Sequence, residues 1–241
     1  MPIDRDRGIL FVHIPKTGGT SITKFLKLNE LAGSFTADVI LSAAKYRVPM
    51  WKQHLSMPQV RKLYFESEFI FPKKEDVTPA AIKKFDEFYK FTFVRNPWDR
   101  LVSNFLYFKE KELIPSEFNL RNFFTYVVDT MANLVSRGAP KEFDANNRLE
   151  GLMVIHCNPQ TYYLSKVDPL HVFKFENLIP EMQLLCDRLQ IHFDKDSFPH
   201  EKNSNNKDHY TSFYGDDLDL IAAVEQLYEN DVKSFGYKFG E

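Results

Sequence analysis

Two short stretches carry residues whose types and spacing suit the binding of anions. The first, HIPKTGGTS (13–21), gathers one lysine, three hydroxyls and two adjacent glycines. Lys16 can supply a positive point charge, and Thr17, Thr20 and Ser21 supply short hydroxyl donors. Gly18 and Gly19 let the backbone approach a ligand closely and turn through positive φ. The order differs from the commonest nucleotide loop, G-x-x-x-x-G-K-[ST], in which the lysine follows the glycines. The second stretch, FTFVRNPWDRLVSNF (91–105), sets Arg95 just ahead of Asn96-Pro97, with Ser103 eight residues further on. An arginine and a hydroxyl together can grip a phosphate with several directed bonds. Two such stretches imply a ligand with two separated anionic groups.

The elements that must position these residues follow from the apolar pattern. Residues 8 to 13 read as a short buried strand, since Ile9, Leu10, Phe11 and Val12 are apolar without alternation. TSITKFLKL (20–28) begins a helix directly behind the glycine pair, with Ile22, Phe25 and Leu26 on one face. Thr78-Pro79 signals a helix start, running to about Tyr89, and KFTFV (90–94) is a second strand. Asn96-Pro97 then opens a helix in which Trp98, Leu101, Val102, Phe105 and Phe108 recur at helical spacing. A helix is expected over 120–138, ending at Gly138, and HVFKF (171–175) is a third strand. Leu178, Met182, Leu185 and Leu189 form one face of the helix behind it, and a last helix runs from about Asp217 to Phe235. Residues 198–215 are polar and aperiodic, hence a long loop, and loops of that length are often functional. Strands alternating with helices predict an α/β fold: a three-layer, mostly parallel sheet with a P-loop-like nucleotide-binding core. The length of 241 residues suits one domain spanning 1–241.

On these residues the chain resembles a known family. FVHIPKTGGTSI and FTFVRNPWDRLVSNF look like the 5′- and 3′-phosphate-binding motifs of sulfotransferases that use 3′-phosphoadenosine 5′-phosphosulfate. The branch it resembles most is the carbohydrate-type group that includes heparan 2-O- and chondroitin sulfotransferases. HCNPQTYYL (156–164), FKFENL (173–178) and LYENDVKSFGY (227–237) are similar to later segments of that branch, whereas residues 25–89 match poorly. The resemblance implies that Lys16, Thr17, Gly18, Gly19, Thr20 and Ser21 hold the 5′-phosphosulfate, and that Arg95 and Ser103 hold the 3′-phosphate. It implies that Asn203, Ser204 and Lys207 of the polar loop fold over the nucleotide. The activity implied is transfer of a sulfuryl group to an acceptor hydroxyl, on a carbohydrate, without a metal.

Such a transfer asks the protein mainly for alignment and charge stabilisation. Lys16 is placed for the oxygen that leaves with the phosphate. A base must take the acceptor's proton, and among seven histidines His54 is the leading candidate, with His156 and Glu66 behind it. His13 belongs to the first loop and is expected to support it. His171 and His192 are expected to be structural, and His200 and His209 lie in the polar loop. Trp51, Tyr107, Tyr162 and Tyr163 could stack on sugar rings or pack in the core. Two competing readings remain open: a nucleotide kinase-like P-loop transferase, and a nucleotide-binding protein without catalysis.

Composition bounds the setting. A net charge of −2 argues against a general nucleic-acid partner. Seven Lys/Arg against Glu66 and Glu68 leave about +5 between Lys45 and Lys74, a solvated face or a surface that draws an anionic acceptor. Cys157 and Cys186, the only cysteines, read as buried and reduced rather than as a disulfide framework or zinc site. With no apolar run near the ~20 residues of a membrane span and no leader-like start, a cytoplasmic location is expected. A lumenal catalytic domain cut from a membrane-anchored precursor is the alternative.

Overall fold

The computed structural model describes residues 2–4, 6–30, 79–136, 148–164, 170–199 and 208–241. Trp51, His54, Glu66, His200, Asn203, Ser204 and Lys207 lie outside the described residues. Strands β1 (Pro2–Asp4), β2 (Ile9–Val12), β3 (Asn29–Glu30), β4 (Tyr89–Val94) and β5 (His171–Lys174) form one sheet in the order β3-β1-β2-β4-β5. The three strands expected from the apolar runs are its parallel part, with Phe11 opposite Phe91 and Phe93 opposite Phe173. β1 and β3 add short antiparallel pairings beside β2, so the sheet is mostly parallel with an antiparallel edge. Strands of two or three residues are too short to leave a periodic signal.

Nine helices lie among the described residues: α1 (Gly19–Phe25), α2 (Pro79–Asp86), α3 (Pro97–Glu110), α4 (Leu120–Ser136), α5 (Arg148–Cys157), α6 (Gln160–Leu164), α7 (Leu178–Leu189), α8 (Leu218–Leu227) and α9 (Glu229–Phe235). Alternation along β2 divides its side chains between two cores. Leu10 and Val12 enter a cluster with Trp98, Leu101, Phe108, Phe123 and Val224. Ile9 and Phe11 enter another with Ile22 of α1 and Met182 and Leu185 of α7. Helices therefore cover both faces of the sheet, which makes three layers.

Some boundaries differ from the sequence reading. α2 stops at Asp86 rather than near Tyr89, because Tyr89 pairs with Ile9 as the first residue of β4 and its N–H donates to the Gly8 carbonyl. The final helix is two helices meeting at Tyr228, whose φ of −108° leaves the helical range. That side chain is buried and its hydroxyl donates to the Cys157 carbonyl, so a tertiary bond sets the break. The polar loop is only partly a loop: Tyr210–Phe213 form a 3-10 turn, and Tyr210 and Tyr214 join the first core. α5 had no periodic signal and was not foreseen.

Candidate active site

β2, β4 and β5 end side by side, and the segment after each one meets the others. In the first, Lys16 (φ 69°) and Gly18 (φ 78°) both take left-handed backbone, turning the chain twice before α1. Such a conformation costs a non-glycine residue about 1–3 kcal/mol, and strain of this kind concentrates at functional sites. Gly19 has a different reason to be glycine: a Cβ there would lie 1.9 Å from His13 Nε2. His13 is buried and stacks on Phe11, so it supports the loop from beneath, as expected. The Thr17 hydroxyl donates to the Ile14 carbonyl and is committed to holding the turn. The backbone N–H groups of Thr17, Gly18, Gly19 and Thr20 meet no acceptor among the described residues. Unpaired donors in a row make a ready anion site.

The second segment brings Arg95 onto the first. Its Nη1 donates to the Lys16 carbonyl at 3.1 Å, while Nε and Nη2 grip Asp99 at 2.7 and 2.9 Å. Among the described residues three of the five guanidinium N–H groups are thus engaged, which leaves two for a ligand. Asn96 caps α3 by accepting from the Trp98 N–H, with Pro97 at the first helical position. Ser103 is partly buried on α3, and its hydroxyl has no partner among the described residues. The third segment was not assigned a role from sequence. Phe175 lies under the Arg95 guanidinium at 4.5 Å and would meet a Cβ on Gly18 at 3.0 Å. Glu176 accepts from the Asn96 N–H at 2.5 Å and from the Tyr237 hydroxyl at 3.0 Å. Burial, with Glu176 alongside, pushes the Tyr237 hydroxyl far above its usual range, so it stays a donor.

Arg100, also missed, ties the first segment to the chain between α5 and α6. Fully buried on α3, it donates to the carbonyls of Pro15, His156 and Asn158 and meets no carboxylate among the described residues. A buried guanidinium held by carbonyls rather than a carboxylate keeps a net positive charge beside the first loop. Nothing in the sequence separates it from the ordinary surface arginine of an amphipathic helix.

His156, the second candidate base, is buried and stacks on Tyr107 at 4.9 Å, with Nδ1 3.2 Å from Asn104 Oδ1. Lys16 Nζ lies over the same Tyr107 ring at 4.7 Å, so His156 stands one side chain away from Lys16. Tyr107 is therefore engaged beside the site, Tyr163 is buried in the core, and Tyr162 is exposed. Burial drives the Cys157 thiol up to about 12, partly opposed by Arg100, which keeps it unreactive near neutrality. An open groove of about 390 Å³ lined by Ile179, Gln183, His192 and Phe193 lies on the α7 side, and none of the three segments lines it. Among the described residues there is no cluster of His, Cys, Asp or Glu suited to a metal, and no helix long and apolar enough to cross a membrane.

Fold and site together define an α/β protein whose parallel strands end in a cationic, donor-rich face. The family model for the sulfotransferase family matches residues 1–238, and the chain belongs to that family, as a transferase of sulfuryl groups. Neither the curated proteins nor the solved structures gave a match.

Proposed function

We propose that this protein moves the sulfuryl group of 3′-phosphoadenosine 5′-phosphosulfate to a hydroxyl of a carbohydrate. The observation that carries the reading is the run of N–H groups at Thr17–Thr20 that meet no acceptor among the described residues, with Arg95 fastened to the same loop at Lys16. A P-loop-like core fits this geometry: the backbone donors face the 5′-phosphosulfate, with Lys16, Thr20 and Ser21 beside them. Arg95, with two donors unengaged among the described residues, and the Ser103 hydroxyl, likewise without a partner there, take the 3′-phosphate. In the reaction the acceptor oxygen forms a bond to sulfur while the bond from sulfur to the phosphate oxygen breaks. Lys16 neutralises the charge that develops on the departing phosphate, and Arg100 adds a fixed field behind it. The acceptor's proton goes to a base, for which His54 remains the first candidate, with His156 packed too tightly to reach an acceptor without moving. Asn203, Ser204 and Lys207 close over the nucleotide, and no metal takes part.

The test is nucleotide recognition. The protein should bind 3′-phosphoadenosine 5′-phosphate far more tightly than adenosine 5′-phosphate or ATP, and Arg95→Ala should remove most of that preference. A charge-assisted hydrogen bond contributes about 1.5–3 kcal/mol, which sets the scale of the loss. Equal affinity for all three nucleotides would refute the donor, and turnover only with magnesium and ATP would favour a kinase.

A further inference from the structure

We infer that Gln160 is a positioning residue for Arg95, held in place by Asp231, and that this pair sets selectivity for the donor's second anionic group. The inference rests on the donor reading above. Gln160 is fully buried, and among the described residues both hydrogen bonds of its side-chain amide go to the Arg95 backbone. Its Oε1 accepts from the Arg95 N–H at 2.8 Å, and its Nε2 donates to the Arg95 carbonyl at 2.8 Å. Arg95 is the first residue past β4, and the last parallel register pair there is Val94 with Lys174. The Gln160 amide thus replaces one rung of the ladder for the residue that must aim the guanidinium.

Gln160 is itself fixed. Its backbone N–H donates to Asp231 Oδ2 at 2.6 Å, and the Thr161 N–H and hydroxyl both donate to Asp231 Oδ1 at 2.9 Å. Asp231, on α9 and fully buried, therefore caps the start of α6 from across the chain. α9 begins directly after the break at Tyr228, and Asp231 stands in its first turn. A buried aspartate thus holds, across seventy-one residues, the buried glutamine whose amide grips the Arg95 backbone. Apolar side chains at 160 and 231 would leave the Arg95 N–H and carbonyl and the Gln160 and Thr161 N–H groups unpaired, so the pair also contributes to stability. What the polar pair adds is a fixed Cα position and direction for Arg95, whose side chain then reaches Asp99 and the Lys16 carbonyl.

The test uses Gln160→Met, which keeps the length and removes both bonds, and measures calorimetric affinity for 3′-phosphoadenosine 5′-phosphate and for adenosine 5′-phosphate. The ratio of the two affinities should fall about tenfold or more, the weight of one misdirected charge-assisted bond. Affinity for the monophosphate should change less than about threefold by the same reasoning. Equal weakening of both nucleotides, or an unchanged ratio, would overturn the inference, because a purely structural role predicts those outcomes. Should Gln160→Met fail to fold, Asp231→Asn gives the same reading. It keeps an acceptor for Thr161 while presenting an N–H₂ to the Gln160 N–H, and the ratio must again fall. A wild-type protein without preference for the bisphosphate would remove the donor reading and this inference together. A wild-type preference that survives both variants would remove this inference alone.

Discussion

Gly19→Ala offers the sharpest test of how the first loop is built. The new Cβ would stand 1.9 Å from His13 Nε2 and 2.0 Å from Cδ2, where ordinary contact begins near 3.4 Å. The imidazole must therefore retreat by about 1.5 Å, and it has little room: it is 6% exposed and stacked on Phe11 with centroids 5.3 Å apart. Overpacking of this kind costs about 1–3 kcal/mol. For a chain of this size each kcal/mol lowers the melting temperature by roughly 2–4 °C. His13→Ala removes the obstacle at its own cost, and the double variant should recover part of the loss because the methyl group enters the vacated space. Urea unfolding of the four proteins gives the coupling energy, expected to be favourable by about 1 kcal/mol or more. Additive effects within about 0.5 kcal/mol would refute the claim that His13 is why position 19 is glycine. Nucleotide affinity should follow the same pattern, since the Gly19 N–H is one of the unpaired donors.

Arg100→Met should destabilise by about 2 kcal/mol or more, because the Pro15 and Asn158 carbonyls lose this donor at about 1–3 kcal/mol each. The His156 carbonyl keeps the Asn104 amide, and removal of a buried charge offsets part of the cost. A loss below about 1 kcal/mol in urea unfolding would show that the carbonyls find other partners. Burial raises Cys157 to about 12 and Cys186 to about 11, so at pH 8 a disulfide reagent should label them only at the rate of unfolding. The sign for stability follows: thiols raised in the folded state contribute fully below the unfolded value near 8.5 and lose that contribution as pH rises through the folded values. Rapid labelling of native protein would contradict this. Lys16→Ala should reduce turnover with every acceptor and weaken donor binding. His54→Ala should leave nucleotide affinity nearly intact and reduce turnover by roughly 10²–10⁴. Near-full activity of His54→Ala would move the base elsewhere.

Local pattern alone determined the three parallel strands, the glycine loop, the Asn96-Pro97 start of α3 and the apolar faces of α3 and α7. Each is a signal confined to a few neighbouring residues: a buried apolar run, a cap followed by proline, a side chain recurring every three or four positions. The cationic loop residues were legible for the same reason, since Lys16, Arg95 and the hydroxyls stand beside the glycines and proline that mark their turns. Only the tertiary structure decided what surrounds them. The Lys16 carbonyl meets Arg95 across seventy-nine residues, Arg100 reaches carbonyls on two other segments, and Asp231 reaches back to Gln160. Those residues look in sequence like any arginine, glutamine or aspartate on a helix. They differ by which buried backbone groups they satisfy, and that follows from how the three strands are laid side by side. The same cause accounts for the helix break at Tyr228 and the buried tyrosines of the polar segment. There, distant packing and a hydrogen bond to Cys157 outweighed the local tendency of the chain.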